Sequence, residues 1–387
     1  MIPVKYNIRN LRVRWVTTAM TVLGTALVVW ASVLSFGLTE GLEHALKITG
    51  NNLDLIVMRK GSKEEGSSGI EQKMARQIAT LDGIAKDADG KPMCSVEFVT
   101  ILTQPRRANG GTTNLIVRGM EQSGRALRPG FEIVEGRDLR PGVNEAITSK
   151  SMAERFENLG IGGKVDINKV AFTIVGYYSA DGSAAESELW TDLRDLTNAR
   201  RTPEAVSIVN LRAADEKSKD SLISRIQDDE QFNFKVIDEP HYYDDQLSSS
   251  IAIRVVGFFI AAFLTFGAMF AAANTMYAAV ASRAREIGTL RAIGFRRRSI
   301  LSSFMFEAIV LCMLGGIIGC LATLPFNGLS TGTANFQTFS ELTFSFRFGP
   351  TVMIQGLLLA LAMGLLGGLF PALRAVRMST ATALRAQ

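Results

Sequence analysis

Two histidines and three cysteines are all that this 387-residue chain holds of the side chains most used for metal and redox chemistry. Cys94 is the lone cysteine of the hydrophilic middle of the chain, so that region has no internal disulfide. Cys312 and Cys320 stand eight residues apart, ~12 Å along a helix at ~1.5 Å per residue, too far to pair. His44 and His241, without placed acids or thiols, make a poor metal site. Residues 40–250 contain no G-x-S-x-G and no H-E-x-x-H, and Gly162-Gly163-Lys164 lacks both the earlier Gly and the following Ser/Thr of a P-loop. Hydrolytic, metal-dependent and P-loop ATPase chemistry are therefore not expected of this chain, and no catalytic, cofactor-binding or metal-ligating residue is proposed.

Charge is missing in blocks. No Asp, Glu, Lys or Arg occurs from Trp15 to Thr39, from Val255 to Ser282, or from Phe348 to Leu373, and a fourth stretch from Ser299 carries only Glu307 before Glu341. A bilayer core is crossed by ~20 mostly apolar helical residues, and each stretch is long enough. The uncharged run of the first is 25 residues, beyond the ~7–15 of a signal-peptide core, and no clear small-x-small site closes it. It reads as a retained span.

The charges that remain set an orientation. Lys5, Arg9, Arg12 and Arg14 precede the first span, six arginines against Glu286 link the second to the third, and Arg374, Arg377 and Arg385 follow the fourth. These three segments share one side if every stretch crosses once, and short basic segments stay cytoplasmic. Residues 40–250 hold 27 bases and 34 acids, so the sequence pI near 9.1 reflects topology and is no nucleic-acid signal. Both termini are expected inside and the large hydrophilic domain outside.

Within that domain, residues 53–58, 95–102, 113–120, 145–149, 170–178, 205–212 and 234–238 read as strands and 71–82, 151–159 and 219–231 as helices. Ala108-Asn109-Gly110-Gly111 predicts a hairpin between the second and third strands. The spacing is α+β, without the regular βαβ repeat of a nucleotide-binding sheet. Leu38, Leu42 and Leu46, and likewise Leu247, Ile251 and Val255, recur every four residues, predicting helices that continue out of the membrane as a stalk, with two amphipathic membrane-surface segments as the alternative. Lys60–Gly69 is a flexible loop by composition. Asp181, Glu186, Glu188, Asp192 and Asp195 read as a solvated acidic face. Glu307, the one acid inside a span, is expected at the interface or paired with a link arginine, not as a substrate or proton site.

The link itself, SRAREIGTLRAIGFRRRS (282–299), places Ala284, Ile287 and Leu290 at helical spacing. Such a helix could lie on the inner leaflet or insert its apolar stripe into a cytoplasmic partner. REIGTLRAIGFRRRSI resembles the coupling-helix signature of MacB/FtsX/LolC-type permeases of ABC transporters. Further segments resemble the same family in the same order: Asn7–Arg12 ahead of the first span; Glu135–Asp138, Ala153–Phe156 and Phe172–Gly176 in the outer domain; and Gly367–Arg377 with Ala383–Arg385 at the exit.

The resemblance implies a membrane α-helical protein of four transmembrane helices with a large α+β extracytoplasmic domain inserted between helices 1 and 2. The expected divisions are a cytoplasmic segment (1–15), first span (16–39), MacB-like periplasmic domain with stalk helices at both ends (40–250), second span (251–282), coupling helix (283–298), third span (299–325), periplasmic loop (326–347), fourth span (348–373) and cytoplasmic tail (374–387). It further implies an export or extraction system in the bacterial inner membrane. The ATPase, with its ATP and Mg, would be supplied in trans in two copies. A second permease copy or homologue, membrane lipids and a periplasmic adaptor or outer-membrane factor are the other implied partners. The residues implied to couple to the ATPase are Arg283, Arg285, Glu286, Ile287, Leu290, Arg291, Ile293 and Gly294, the apolar ones filling its groove and Gly294 permitting the turn back. An FtsX-like transmitter acting on an outside partner without transport is the alternative, and a receptor without any ATPase a third reading. The loop 326–347 has no general account beyond capping a dimer seam.

Overall fold

The structure, a computed structural model, describes residues 15–108, 110–229, 231–232, 234–249, 251–334 and 340–377. In chain order, α1 (Trp15–Thr49) leads to β1 (Asp54–Arg59), β2 (Ile70–Glu71), α2 (Gln72–Ile78), β3 (Cys94–Pro105), β4 (Thr112–Met120) and α3 (Gln122–Ala126). There follow β5 (Phe131–Gly136), β6 (Glu145–Ser149), α4 (Lys150–Arg155), β7 (Lys164–Ile167), β8 (Val170–Ala180), β9 (Glu188–Asp192) and α5 (Leu193–Arg200). Then come β10 (Ala205–Val206), β11 (Ile208–Arg212), α6 (Glu216–Gln227), β12 (Phe234–Asp238) and α7 (Glu239–Ser249). The chain continues with α8 (Ile251–Ser282), α9 (Ala284–Ala292), α10 (Arg297–Thr323), β13 (Ser330–Ala334), β14 (Glu341–Ser345) and α11 (Pro350–Arg377). It divides into a helical unit (residues 1–40, 252–329 and 346–387) and a sheet unit (41–251 and 330–345).

The sheet unit is built on ten strands in the order β12-β1-β11-β3-β4-β9-β6-β8-β5, with β7 beside β8. The pairs β4–β9 and β6–β8 are parallel and the others antiparallel. Every other residue of a strand faces the same side, and one side carries two apolar cores. Val57, Val96, Val209 and Leu211 pack under Ile78 of α2 and Leu222 and Ile226 of α6. Val117, Phe172, Ile174 and Leu189 pack under Met152, Phe156 and Leu196. The predicted hairpin is present, with Pro105 opposite Thr112 and Gly110 at φ +65° in the turn.

The opposite side of the sheet is part apolar, with Tyr178 stacked on Trp190 at 4.1 Å, and part ionic. Arg118 of β4 is 3% exposed. It donates to Glu188 from Nε and Nη2 (both 2.6 Å), to Glu97 from Nη1 (2.8 Å) and to Glu65 from Nη2 (2.5 Å). Arg128 donates to Glu97 at 3.0 Å, and Trp190 Nε1 to Glu188 at 2.8 Å. Burial raises the Glu65 carboxyl against the pull of Arg118. At Glu97 burial also works upward, but Arg128 and Arg118 outweigh it and hold the group below the ordinary range.

Two expectations from composition are corrected here. The loop 60–69 is not free: Glu65 is buried on Arg118, and Arg59 N donates to Ser68 Oγ at 2.9 Å. Asp181 is exposed, but the rest of the acidic stretch is not a solvated face. Glu188 belongs to the ionic cluster, Asp192 caps α5 by accepting from Arg194 N and Asp195 N, and Asp195 accepts from Gly142 N and Asn144 N. Glu186 accepts from Ala180 N and Gly182 N. These carboxylates satisfy backbone donors that turns and helix starts leave open.

The loop between the last two long helices folds as a hairpin, β13 against β14, within the sheet unit. Glu341 is 2% exposed and is held by Arg106 (2.5 Å) and by Arg155. Ser187 Oγ donates to Thr343 O and accepts from Thr343 N, so a segment with little sequence signal is fixed by side chains far from it in the chain.

Glu239, at the start of α7, is buried, and Asn51 N donates to its Oε2 at 3.3 Å. Burial pushes this carboxyl from 4.5 up to about 8, against the pull of Arg128. Between those values the folded protein binds the extra proton, so stability falls as pH rises from 4.5 to about 8 and then levels. Glu239→Gln is expected to remove that slope. Each tenfold change in proton affinity is worth about 1.4 kcal/mol; allowing for solvent relaxation, a gain of roughly 2 kcal/mol at pH 8 is expected, shrinking toward pH 5. Thermal melts of both proteins across that range check it, and parallel curves would exclude a buried neutral carboxyl.

In the helical unit, α10 and α11 pack through small residues. A Cβ at Gly316 would lie 2.5 Å from Ala360 Cβ, and one at Gly368 2.6 Å from Ala308 Cβ. Val29, Val33, Cys312, Cys320 and Met363 form the core between α1, α10 and α11. Helix α1 runs unbroken from Trp15 to Thr49, with Leu42 and Leu46 buried. On the other predicted stalk segment Val255 is exposed, and the side chains of Leu247 and Ile251 lie outside the described residues.

Candidate functional site

The link predicted to contact a partner is a nine-residue helix, α9, set between two turns. Helix α8 ends at Ser282 and Arg283 occupies the N-cap, with Ile287 N donating to its carbonyl at 2.9 Å. At the far end Gly294 has φ +101°, a region open to glycine alone at low cost. Phe295 N donates to Leu290 O and Gly294 N to Arg291 O, the Schellman closure of a helix C-terminus. Gly294 thus stands at the turn between α9 and α10. Arg296 then caps α10.

Burial sorts the eight candidate residues into two groups. Arg283 and Ile287 turn inward, at 6% and 2% exposed. Ile287 belongs to one buried apolar cluster with Met276, Val280, Ile300, Phe304, Ala308, Ala372 and Ala375. Arg283 Nη1 donates to Glu307 Oε2 at 2.8 Å, and its guanidinium carbon stands 5.8 Å from the Phe304 ring centre. Arg285, Glu286, Ile293 and Gly294 are exposed, and Leu290 and Arg291 are half-buried. The apolar stripe read from the sequence therefore serves, at Ile287, the chain's own bundle. A nine-residue helix has one apolar stripe, and its spacing does not say which neighbour takes it. The large apolar side chain on the outer face is Ile293, 71% exposed and followed closely in the chain by the exposed Arg296, Arg297 and Arg298. Glu307 has the link arginine expected of it, and that arginine is Arg283.

Among the described residues, four helices are long and apolar enough to cross a membrane: residues 15–48, 255–282, 297–326 and 350–377. The MacB-like periplasmic core domain family matches residues 18–229, more than half of the chain, and the FtsX-like permease C-terminal family matches 258–380. The chain belongs to the MacB/FtsX-type ABC permeases. It is a multi-pass membrane protein, and neither matched region is a nucleotide-binding domain.

This permease is 26% identical to a macrolide export ATP-binding/permease protein MacB of Brucella melitensis biotype 1, over 99% of its own length and 60% of that protein. It thus spans about 60% of the length of the curated MacB relative it matches. It is 22% identical to an uncharacterized ABC transporter permease, YvrN, of Bacillus subtilis, over 94% of its own length and 93% of that protein. Among solved structures, the periplasmic region of MacB from Actinobacillus actinomycetemcomitans aligns over 55% of this chain and 97% of that one, at 12% identity and a TM-score of 0.38.

The sequence reading did not single out Arg118, Arg128, Glu97 or Glu341, which order the sheet unit. For Arg118, Glu97 and Glu341 the one sequence signal is charge within or beside a run of strand-forming residues, as in Asn114-Leu-Ile-Val-Arg118, and Arg128 lies in a turn with no such signal.

Proposed function

We propose that this permease is the transmembrane subunit of an ABC system that passes ATP-driven motion of a separate ATPase to the sheet unit, and so exports or extracts a substrate. The observation that carries the reading is the outward face of α9. Ile293 and Arg285 are held in the open by a helix whose other face is anchored in the bundle. A helix presenting one apolar anchor among charges is suited to a groove on a soluble partner, with the charges setting register. Arg285, Glu286, Ile293 and Gly294 form the contact, with Leu290 and Arg291 at its edge. Arg283 and Ile287 carry load behind it. ATP and Mg belong to the partner, which is present in two copies.

The basic segments favour an orientation with both termini and α9 cytoplasmic and the sheet unit inserted between the first two spans on the periplasmic side of a bacterial inner membrane. A second permease copy or homologue is accommodated along α8. Only 11% of its apolar window is buried, against 39% for each of the other three spans, and it exposes Phe258, Phe259, Phe263, Phe266 and Phe270. Transport and outside-partner signalling share these steps, and a periplasmic adaptor or outer-membrane factor would be recruited in the first.

The test is capture of each ABC ATPase encoded beside this chain, in detergent, by the tagged permease and by an Arg285→Glu, Ile293→Asp variant. Capture of one ATPase by the parent, reduced at least tenfold in a variant with an unchanged melting temperature, is expected. Equal capture by the variant would move the contact elsewhere. No capture by the parent would remove the ABC reading.

A further inference from the structure

We propose that the buried Arg283–Glu307 pair is a positioning device that fixes the roll of α9 on α10, so that load applied at Arg285 and Ile293 enters the third span as a rigid displacement. The load-transfer half of this rests on the ATPase reading above; the fixing of the roll does not.

Arg283 stands where α8 stops and α9 starts, and Glu307 lies three turns into α10. Their bond closes a loop of the chain that contains the whole link. The pair is a poor way to add stability. Both groups are almost fully removed from solvent, one good hydrogen bond joins them, and Arg283 Nη2 has no hydrogen-bond partner among the described residues. Buried ion pairs in that condition are often matched or surpassed by apolar side chains of the same volume, and fixing register is their best-attested use.

Register is what the neighbouring contacts do not supply. Ile287 lies in an apolar cluster with Met276, Val280, Phe304 and Ala308, and apolar burial is non-directional. A nine-residue helix held by that patch can roll while keeping its buried area. An arginine–carboxylate bond has a defined direction. With Arg283 held inward at one end, the outward setting of Arg285, Glu286 and Ile293 follows.

The experiment compares the parent with an Arg283→Met, Glu307→Leu double variant, which replaces the pair by apolar groups, and with the exchanged pair Arg283→Glu, Glu307→Arg. Each is made in a full-length chain whose Cys94, Cys312 and Cys320 are alanine. A single reporter, Arg285→Cys or Ile287→Cys, is then labelled with a membrane-permeable maleimide in native membranes. In the parent, position 285 is expected to label at least tenfold faster than 287. In the Met/Leu variant that contrast should fall below threefold while the melting temperature stays within a few degrees, a change that a purely structural pair would not give. The exchanged pair should restore the contrast at least in part. With the ATPase present, the Met/Leu variant should still be captured but should stimulate hydrolysis at least tenfold less. Retention of the labelling contrast by the Met/Leu variant overturns the positioning role, and retained stimulation overturns load transfer. If the parent captures no ATPase, the ABC reading and load transfer fall together, and the labelling arm alone upholds or overturns the fixing of the roll.

Discussion

A chain carrying Arg118→Leu is expected to accumulate with its sheet unit unfolded, or to melt at least 10 °C below the parent. Arg118 contacts Glu65, Glu97 and Glu188, all of them buried. Arg128 remains to hold Glu97, whereas no other ion pair is present at Glu65 or Glu188 among the described residues. Removing one partner of a buried pair costs about 3–5 kcal/mol, because the other charge stays behind in a medium that solvates it poorly. That is a large share of the ~5–15 kcal/mol by which domains are stable. The leucine cannot restore the cross-strand link from β4 to Glu188 on β9 or hold the loop at Glu65. If the cost is stranded charge, adding Glu65→Gln and Glu188→Gln to an Arg118→Met chain should recover at least half of the lost melting temperature. Folded yield and melts of the detergent-solubilised chain measure both. An Arg118→Leu protein melting within 2 °C of the parent would show that the cluster is solvated and contributes little.

The same cluster marks where sequence reasoning stops. Strands β3, β4 and β8 were legible because β-branched and apolar residues run through them and Asn109-Gly110-Gly111 separates the first two. Strand β9, Glu188-Leu-Trp-Thr-Asp192, lies in the middle of the sheet yet begins and ends in acid. Its burial depends on Arg118, seventy residues earlier, and on Asp192 turning to cap α5. Local composition carries no trace of either. Strands β5 and β7 both lie along the outer edge of β8, where a short run needs little apolar character. The loop 60–69 looked mobile for the same reason that β9 looked like a loop: its anchor is a charge partner remote in the chain.

At the link the helix and its glycine stop are legible in the sequence, since they depend on residues close together, whereas Glu307 is left open there between the interface and a link arginine, and the fold pairs it with Arg283. Which side of α9 faces the bundle depends on how α8, α10 and α11 converge around Ile287, and only the folded chain contains that.

Gly364→Leu is expected to reduce the monodisperse permease recovered from membranes at least fivefold, while Gly267→Leu leaves it unchanged. In a bilayer the helices gain little from hydrophobic association, because lipid is as apolar as leucine, so packing of small residues holds them together. A Cβ at Gly364 would stand 2.9 Å from Ile309 Cα and 3.2 Å from Cys312 Cβ, and one at Gly319 would stand 2.6 Å from Ala26 O on α1. The Ile309 and Ala26 atoms are backbone, which cannot rotate away, so α10 would have to separate from α11 or from α1. Inserting a side chain into a packed contact costs about 1–3 kcal/mol when neighbours can adjust, and more where the obstruction is main chain. Nothing lies within 4 Å of a Cβ at Gly267 on α8, so leucine there meets no clash and is favoured in a helix. Size-exclusion profiles after extraction in one mild detergent compare the two substitutions in the same unit at matched hydrophobicity. If Gly364→Leu runs as the parent does, α10 and α11 are not in close contact in the membrane, and the path from α9 into the third and fourth spans loses its rigid segment. If both variants fail, leucine is being rejected for crowding along α8 as well, and the exposed phenylalanines of that helix are covered by protein there.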